Sequence, residues 1–271
     1  MRLLFVGDVM GRAGRNAIAE HLPRLKRELK PDFVAVNGEN AAHGAGITEK
    51  ICQDLIDCGA DVVTGGNHSW DQKEALSYIE REPRLLRPAN FPAGTPGRGV
   101  GVFEGRRGAK VLVMNLMGRL FMDPLDDPFA LADRELAKHR LGQTVHAAIV
   151  DFHAEATSEK MAMGHYLDGR VSMCVGTHTH VPTSDVMILD GGTAYQSDAG
   201  MTGDYNSVIG MVKEAPIARF TRKLPTERLG PATGEATLCG LYMETDGRTG
   251  LATRVEPVRV GGRLAEQIPA V

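Results

Sequence analysis

Cysteine is scarce in this chain, with four among 271 residues and no C-x-x-C pair. That excludes a disulfide-stapled scaffold, and free thiols suit a reducing, cytoplasmic setting. No apolar run approaches the roughly 18 residues of a membrane span. Met1 leads almost directly into Leu3-Leu4-Phe5-Val6, so no secretory leader is expected. Aromatic residues are few, at 5%, and neither sign of charge dominates: 31 Lys plus Arg stand against 34 Asp plus Glu, a formal net charge of −3. Such a balance argues against an extensive direct nucleic-acid surface, while leaving room for a small anionic substrate at a local site. The sequence also shows no internal repeat, low-complexity tail or interdomain linker. One domain over residues 1–271 is therefore expected.

What the chain does have is a 42% hydrophobic content, 32 glycines and nine histidines. Its first half alternates short apolar runs with longer amphipathic ones. Strands are expected at 2–6, 32–36 and 61–64, with helices at 13–29, 48–58 and about 70–80. Strands apolar on both faces and separated by helix-length segments indicate a parallel sheet covered by helices. Residues 99–104 and 110–115 read as a hairpin, and 129–140 as a helix. A strand at 145–151, a helix at 157–167 and a strand at 171–175 follow. Beyond 185 the runs shorten to 186–189 and 192–195, then 235–244 and 251–260 around Asp246-Gly247. Helix content falls in this last part, which predicts a second, more antiparallel sheet packed on the first.

In open α/β sheets, ligands collect outside the carboxyl ends of the strands. Strand 2–6 ends in Gly7-Asp8, strand 32–36 in Asn37-Gly38-Glu39-Asn40, and strand 61–64 in Gly65-Gly66-Asn67-His68. Strand 145–151 runs into His153, and strand 171–175 into Gly176-Thr177-His178-Thr179-His180. Singly, each has a plain explanation: Asp8 or Asn67 as a helix cap, His153 as a satisfied core histidine. Together, five strand ends deliver carboxylate, amide and imidazole groups to one edge. On extended backbone, His178 and His180 would point to one side, with Thr179 turned away.

Imidazoles with carboxylate and amide oxygens suit Fe, Mn or Zn better than Ca or Mg. The cluster contains no thiolate, which disfavours a structural zinc knot. Six or seven donors exceed what one tetrahedral ion uses. Two ions about 3.5–4 Å apart, sharing a carboxylate, would use them all, and that arrangement serves in-line phosphoryl displacement. The glycines at 7, 11 and 14 follow a strand and open a helix, but their spacing is neither G-x-G-x-x-G nor a phosphate-binding loop. They are expected to let the backbone and helix N-terminus approach a metal-bound anion.

These residues resemble the calcineurin-like metallophosphoesterases, and the whole chain more closely resembles their YmdB-type subfamily. The motifs that carry the likeness are Gly7-Asp8, NGEN at 37–40, GGNH at 65–68, His153 and GTHTH at 176–180. The wider superfamily opens with Asp-x-His, whereas here Met10 stands two residues beyond Asp8. The resemblance implies an α/β fold, a four-layer α-β-β-α sandwich of two mixed sheets flanked by helices. It implies a dinuclear metal-dependent phosphodiesterase active on 2′,3′-cyclic nucleotides, with iron the expected metal and manganese a replacement. Asp8, Glu39, Asn40 and His180 would hold one ion. Glu39 would bridge to the other, which Asn67, His153 and His178 complete. His68 would be the general acid; an imidazole with an ordinary pKa of about 6.5 can protonate a poor ribose leaving group near neutrality.

His43 and Arg12 are the candidate substrate contacts, with Arg15 a weaker one. Phe121–Pro128 is a candidate rim or lid, and Tyr195–Tyr205 a candidate pocket frame. The expected partner is a small phosphoester or nucleotide, with no membrane attachment and room for a homo-oligomer. Two other readings stay open: a phosphomonoesterase or 5′-nucleotidase on the same ions, and a metal-bound regulatory or RNA-metabolism-associated protein whose turnover is secondary.

Overall fold

Side-chain alternation decides which layer each strand face meets. In the computed structural model, which describes residues 1–223 and 227–271, β1 (Arg2–Val6) sends Leu3 and Phe5 into one apolar cluster and Leu4 and Val6 into another. The second cluster is completed by Ile18, Leu22, Leu25 and Leu29 of α1 (Gly11–Leu29). Those residues recur every three or four positions, so one stripe of the helix covers the sheet. β2 (Phe33–Asn37) divides in the same way, with Phe33 and Ala35 on one face and Val34 and Val36 on the other.

The first sheet continues through β3 (Val62–Thr64) and β4 (Leu85–Leu86), with α2 (Glu49–Asp57) and α3 (Ala75–Tyr78) between strands. The second sheet is built from β5 (Val100–Glu104), β6 (Lys110–Met117), β7 (Ala147–His153), β8 (Met173–Thr177), β9 (Met187–Ile188) and β10 (Ala194–Gln196). α4 (Pro128–Leu136) and α5 (Thr157–Tyr166) cover its outer face, where Leu131, Leu136, Met163 and Leu167 pack on Leu112, Met114, Val150 and Phe152. Val111, Val113, Ala147, Ile149, Met173 and Val175 face the other way and meet Leu3, Phe5 and Phe33 between the sheets. The result is the expected four layers, helix, sheet, sheet and helix.

The origin of the second sheet differs from the sequence expectation. With β11 (Leu238–Thr245) and β12 (Ala252–Val260), both sheets have six strands, in the orders β12-β11-β1-β2-β3-β4 and β5-β6-β7-β8-β10-β9. The C-terminal β11 and β12 return to the first sheet, with β11 antiparallel to β1. The second sheet comes from the middle of the chain, and β6, β7, β8 and β10 are parallel in it. The physical reason is β1 itself. Apolar on both faces and paired with β2 on one side, it would otherwise leave an unpaired edge in the core.

Two helices are shorter than expected, α3 and α4, and α6 (Glu214–Arg222) was not anticipated. Before α3, Gln72 Nε2 donates to Ala45 O at 2.8 Å and Glu74 Oε1 accepts from Glu49 N at 2.8 Å. These bonds to neighbouring segments replace a longer helix. No described helix is long and apolar enough to cross a membrane.

Candidate metal centre

The alternation that builds the inter-sheet core also places polar groups where the parallel strands end. Asn37 follows Phe33 and Ala35 on β2, Thr64 follows Val62 on β3, and Asn115 follows Val111 and Val113 on β6. Asp151 and His153 follow Ala147 and Ile149 on β7, and Thr177 follows Met173 and Val175 on β8. All six are buried. Asp151 is their hub: it accepts from Thr64 Oγ1 at 2.5 Å, Asn37 Nδ2 at 2.9 Å and Thr177 Oγ1 at 2.7 Å. Burial raises its pKa, against the His153 charge and these donors.

Above this layer the structure brings together Asp8, Glu39, Asn40, Asn67, His153, His178 and His180. Around His153 Nε2 lie Glu39 Oε1 at 2.9 Å, Asn67 Oδ1 at 2.9 Å and His178 Nδ1 at 3.1 Å. Ligand atoms of Glu39, His153 and His178 all fall within 4.8 Å of one another, close enough to hold one ion. On the other side, His180 Nε2 faces Asn40 Oδ1 at 3.2 Å and Asp8 Oδ1 at 4.0 Å. Asp8 does not cap α1. Its Oδ2 accepts from His178 N at 3.3 Å, while its buried Oδ1 has no hydrogen-bond partner among the described residues. Asn67 also caps no helix, since α3 begins at Ala75.

The hydrogen bonds fix which histidine nitrogen is free. Thr177 gives its one hydroxyl proton to Asp151, so it accepts from His153 Nδ1 at 2.8 Å and leaves a lone pair on His153 Nε2. Ile209 O accepts from His180 Nδ1 at 2.8 Å, and Glu155 Oε2 lies 3.2 Å from His178 Nε2. In each ring the outer nitrogen meets an acceptor and the inner nitrogen presents a lone pair to the cluster. Acceptors therefore face acceptors in a buried site, an arrangement that requires a cation. This donor set fits a borderline transition metal.

The electrostatics agree. Burial pushes Glu39 up, but His153 and the His68 contacts outweigh it and hold the carboxyl at about 2. Burial opposes charge on His153, yet Glu39 and Asp8 raise it to about 9, so that without metal a proton on Nε2 takes the place a cation would fill. Burial raises Asp8 to about 6, and burial together with His153 lowers His178 to about 3. Close approach is obligatory at Gly66, where a Cβ would lie 2.2 Å from Glu39 Oε2 and 2.4 Å from His153 Nε2.

His68 stands just outside the donor cluster. Its backbone N–H donates to Glu39 Oε2 at 3.1 Å, and its Nδ1 contacts Asp71 Oδ2 at 2.9 Å. His43 is exposed and lines a cavity with Asp71, Gln72, Arg219 and Arg228. Arg12 is exposed on the first turn of α1, with no hydrogen bond to the cluster among the described residues. Arg15 Nη1 bonds Ala41 O and so braces the loop that carries Glu39 and Asn40.

Three expectations need correction. His178 and His180 lie beyond β8 with φ of 95° and 68°, so left-handed backbone, and not extended alternation, brings both rings inward. Thr179 does turn away, its hydroxyl donating to Asp198 at 2.7 Å; Asp198 is also paired with buried Lys160 at 2.7 Å. Glycines 7 and 14 abut protein backbone and not an open anion site. A Cβ there would lie 1.9 Å from Gly200 O and 2.2 Å from Thr202 O, so they let that segment pack against β1 and α1. The segment from Tyr195 to Tyr205 is largely buried scaffold, not a pocket frame, and the Tyr205 hydroxyl donates to Met201 O at 2.9 Å. Met10, at the superfamily's histidine position, is buried against glycines 44, 203 and 210.

Two facing mixed sheets with a donor cluster at their carboxyl edge define the metallophosphoesterase class of α/β fold. Residues 4–258 match the family described as YmdB-like protein, and the chain belongs to that family. It is 50% identical over 260 residues to the 2′,3′-cyclic-nucleotide 2′-phosphodiesterase of Bacillus subtilis (strain 168), spanning 96% of this chain and 97% of that one. A hypothetical protein from Thermus thermophilus superposes with TM-score 0.90 at 44% identity, over 97% of this chain and 100% of that one. A structure described as a novel phosphatase from Mycoplasma pneumoniae gives 0.89 at 36% identity, over 96% and 93%.

Proposed function

We propose that this chain hydrolyses 2′,3′-cyclic nucleotides with two transition-metal ions, iron by preference and manganese as a replacement. The observation that carries this reading is the set of three imidazoles whose inner lone pairs face buried carboxylate and amide oxygens. Asp8, Asn40 and His180 would hold one ion, Asn67, His153 and His178 the other, and Glu39 would serve both. Bound there, the ions would supply a lowered water pKa and positive charge for the phosphate oxygens. The similarity to the Bacillus subtilis enzyme supports the cyclic diester as substrate.

The remaining work falls to the protein. Buried Glu39 stays ionised, held by His153 and by the His68 N–H. Asp71 orients the His68 ring through Nδ1, leaving Nε2 to give a proton to the departing ribose 2′ oxygen. Cleaving that ester leaves the phosphate on the 3′ oxygen. We also place the enzyme in the cytoplasm, since all four cysteines are free. We treat residues 1–271 as one domain, because β1 and β11 share the inter-sheet core with β6, β7 and β8.

A substrate panel on metal-loaded protein tests the reading: 2′,3′-cyclic and 3′,5′-cyclic nucleotides, a linear diester and 3′- and 5′-monophosphates. The 2′,3′-cyclic compounds should give the highest kcat/KM and the 3′-monophosphate as product. Faster release of inorganic phosphate from monoesters would instead make the chain a phosphomonoesterase.

A further inference from the structure

A phenylalanine stands in water beside the candidate metal centre. Phe121 is 91% exposed, and its backbone has a left-handed φ of 61°, uncommon for a bulky residue. Its loop is nevertheless tied down at both ends. Buried Glu159, in the first turn of α5, accepts from Arg119 N at 2.9 Å and from Leu120 N at 3.1 Å. Gly118 makes room for that carboxylate, since a Cβ there would lie 2.5 Å from Glu159 Oε2. On the far side, buried Asn90 donates to Met117 O at 2.8 Å and to Asp126 O at 3.0 Å. The phenyl ring is thus held out by a built support. It lines a cavity of about 400 Å³ with Met122, Asp123 and two of the clustered residues, Asn67 and His178.

A phenyl ring in water forgoes the free energy of burial, and a strained backbone adds to the cost. Both are explained by an occupant that covers the ring. One wall of the cavity carries residues of the phosphoester site and the other a flat π face, so the occupant must join a phosphate to a planar group. We propose that Phe121 is the stacking platform for the nucleobase of the substrate, a specificity-determining residue with no part in the chemical step. The proposal rests on the cyclic-nucleotide reading above. Because every base has a π face, the platform favours nucleotides over base-free phosphodiesters without selecting strongly among bases.

The experiment compares 2′,3′-cyclic AMP with glycerol 1,2-cyclic phosphate, which keeps the five-membered cyclic diester and lacks the base. Metal-loaded full-length protein is used as wild type, Phe121→Ala and Phe121→Trp. The ratio of kcat/KM for cyclic AMP to that for the glycerol compound should fall about tenfold in Phe121→Ala, through KM, and be kept in Phe121→Trp. Equal loss on both substrates would make the loop a general support or gate, and an unchanged ratio would show that the ring touches no base; either result overturns the proposal. Calorimetric binding of adenosine 3′-monophosphate and ribose 3-phosphate gives a reading independent of turnover. Wild type should bind the base-bearing ligand more tightly, and Phe121→Ala should lose the difference. Wild type that binds both alike refutes stacking. Wild type that keeps the difference yet leaves 2′,3′-cyclic AMP intact refutes the cyclic-diester reading alone.

Discussion

Thr177 has a single hydroxyl proton, and Asp151 takes it at 2.7 Å. That assignment forces His153 to carry its proton on Nδ1 and to offer Nε2 to the cluster. Thr177→Val removes this control with almost no change of volume. It should weaken metal affinity by about 10- to 100-fold, the usual effect of losing a partner that orients a ligand. Metal titration followed by dialysis measures it, and unaltered affinity would show that the tautomer is set elsewhere. His68 makes a separate case, because it touches Glu39 only through its backbone. His68→Ala should keep the bound metal and slow turnover by roughly 10²–10⁴ for alkyl leaving groups, with much smaller loss for p-nitrophenyl esters. Equal loss on both would remove the general-acid role. Asp8, Glu39, Asn67 and His68 were legible in the sequence because each follows a strand and a glycine. Asp71, Asp151 and Thr177 were missed, although Asp151 and His153 two residues apart on one strand was a usable signal.

At the level of elements, the strand ends set the site and the glycines set how closely they meet. Gly66 is the point where the backbone runs closest under the donors, so that a Cβ there would meet both Glu39 Oε2 and His153 Nε2. Gly66→Ala should abolish tight metal binding while leaving circular dichroism near wild type, because Gly66 lies in the turn after β3 and outside the apolar clusters. Retained metal binding would mean that the two side chains have more freedom than this packing allows. The parallel core was legible because β1, β2, β7 and β8 read as continuous apolar runs. The placement of β11 and β12 was not, since antiparallel strands fit either sheet by pattern alone and only the open edge of β1 decides. The inward turn of His178 and His180 was hidden for a similar reason. Left-handed backbone at histidine has no local sequence signature, and it is held here through Thr179 and Asp198.

For the molecule as a whole, the crowded acceptors link stability to protons when metal is withheld. His153 is raised to about 9 in the folded state against an ordinary 6.5, so the folded protein holds a proton there that the unfolded chain has released. The stability this contributes is fully present below pH 6.5 and is lost as the pH rises through about 9. Asp8, raised to about 6 from 3.8, acts in the same direction at lower pH. Metal-free protein should therefore show a Tm that falls between pH 6.5 and 9, and a Tm that is flat or rising there would contradict the charge assignment. Bound cations replace these protons and stabilise the fold by mass action, so the rise in Tm on adding metal should grow over the same interval.

The most direct test of the account is the metal content of the purified chain, measured by elemental analysis after loading with iron or manganese and removal of the excess. Seven converging donors, three of them imidazoles with their inner lone pairs free, predict close to two transition-metal ions per chain. One ion or none, in protein that remains folded, would contradict the dinuclear centre and the chemistry built on it.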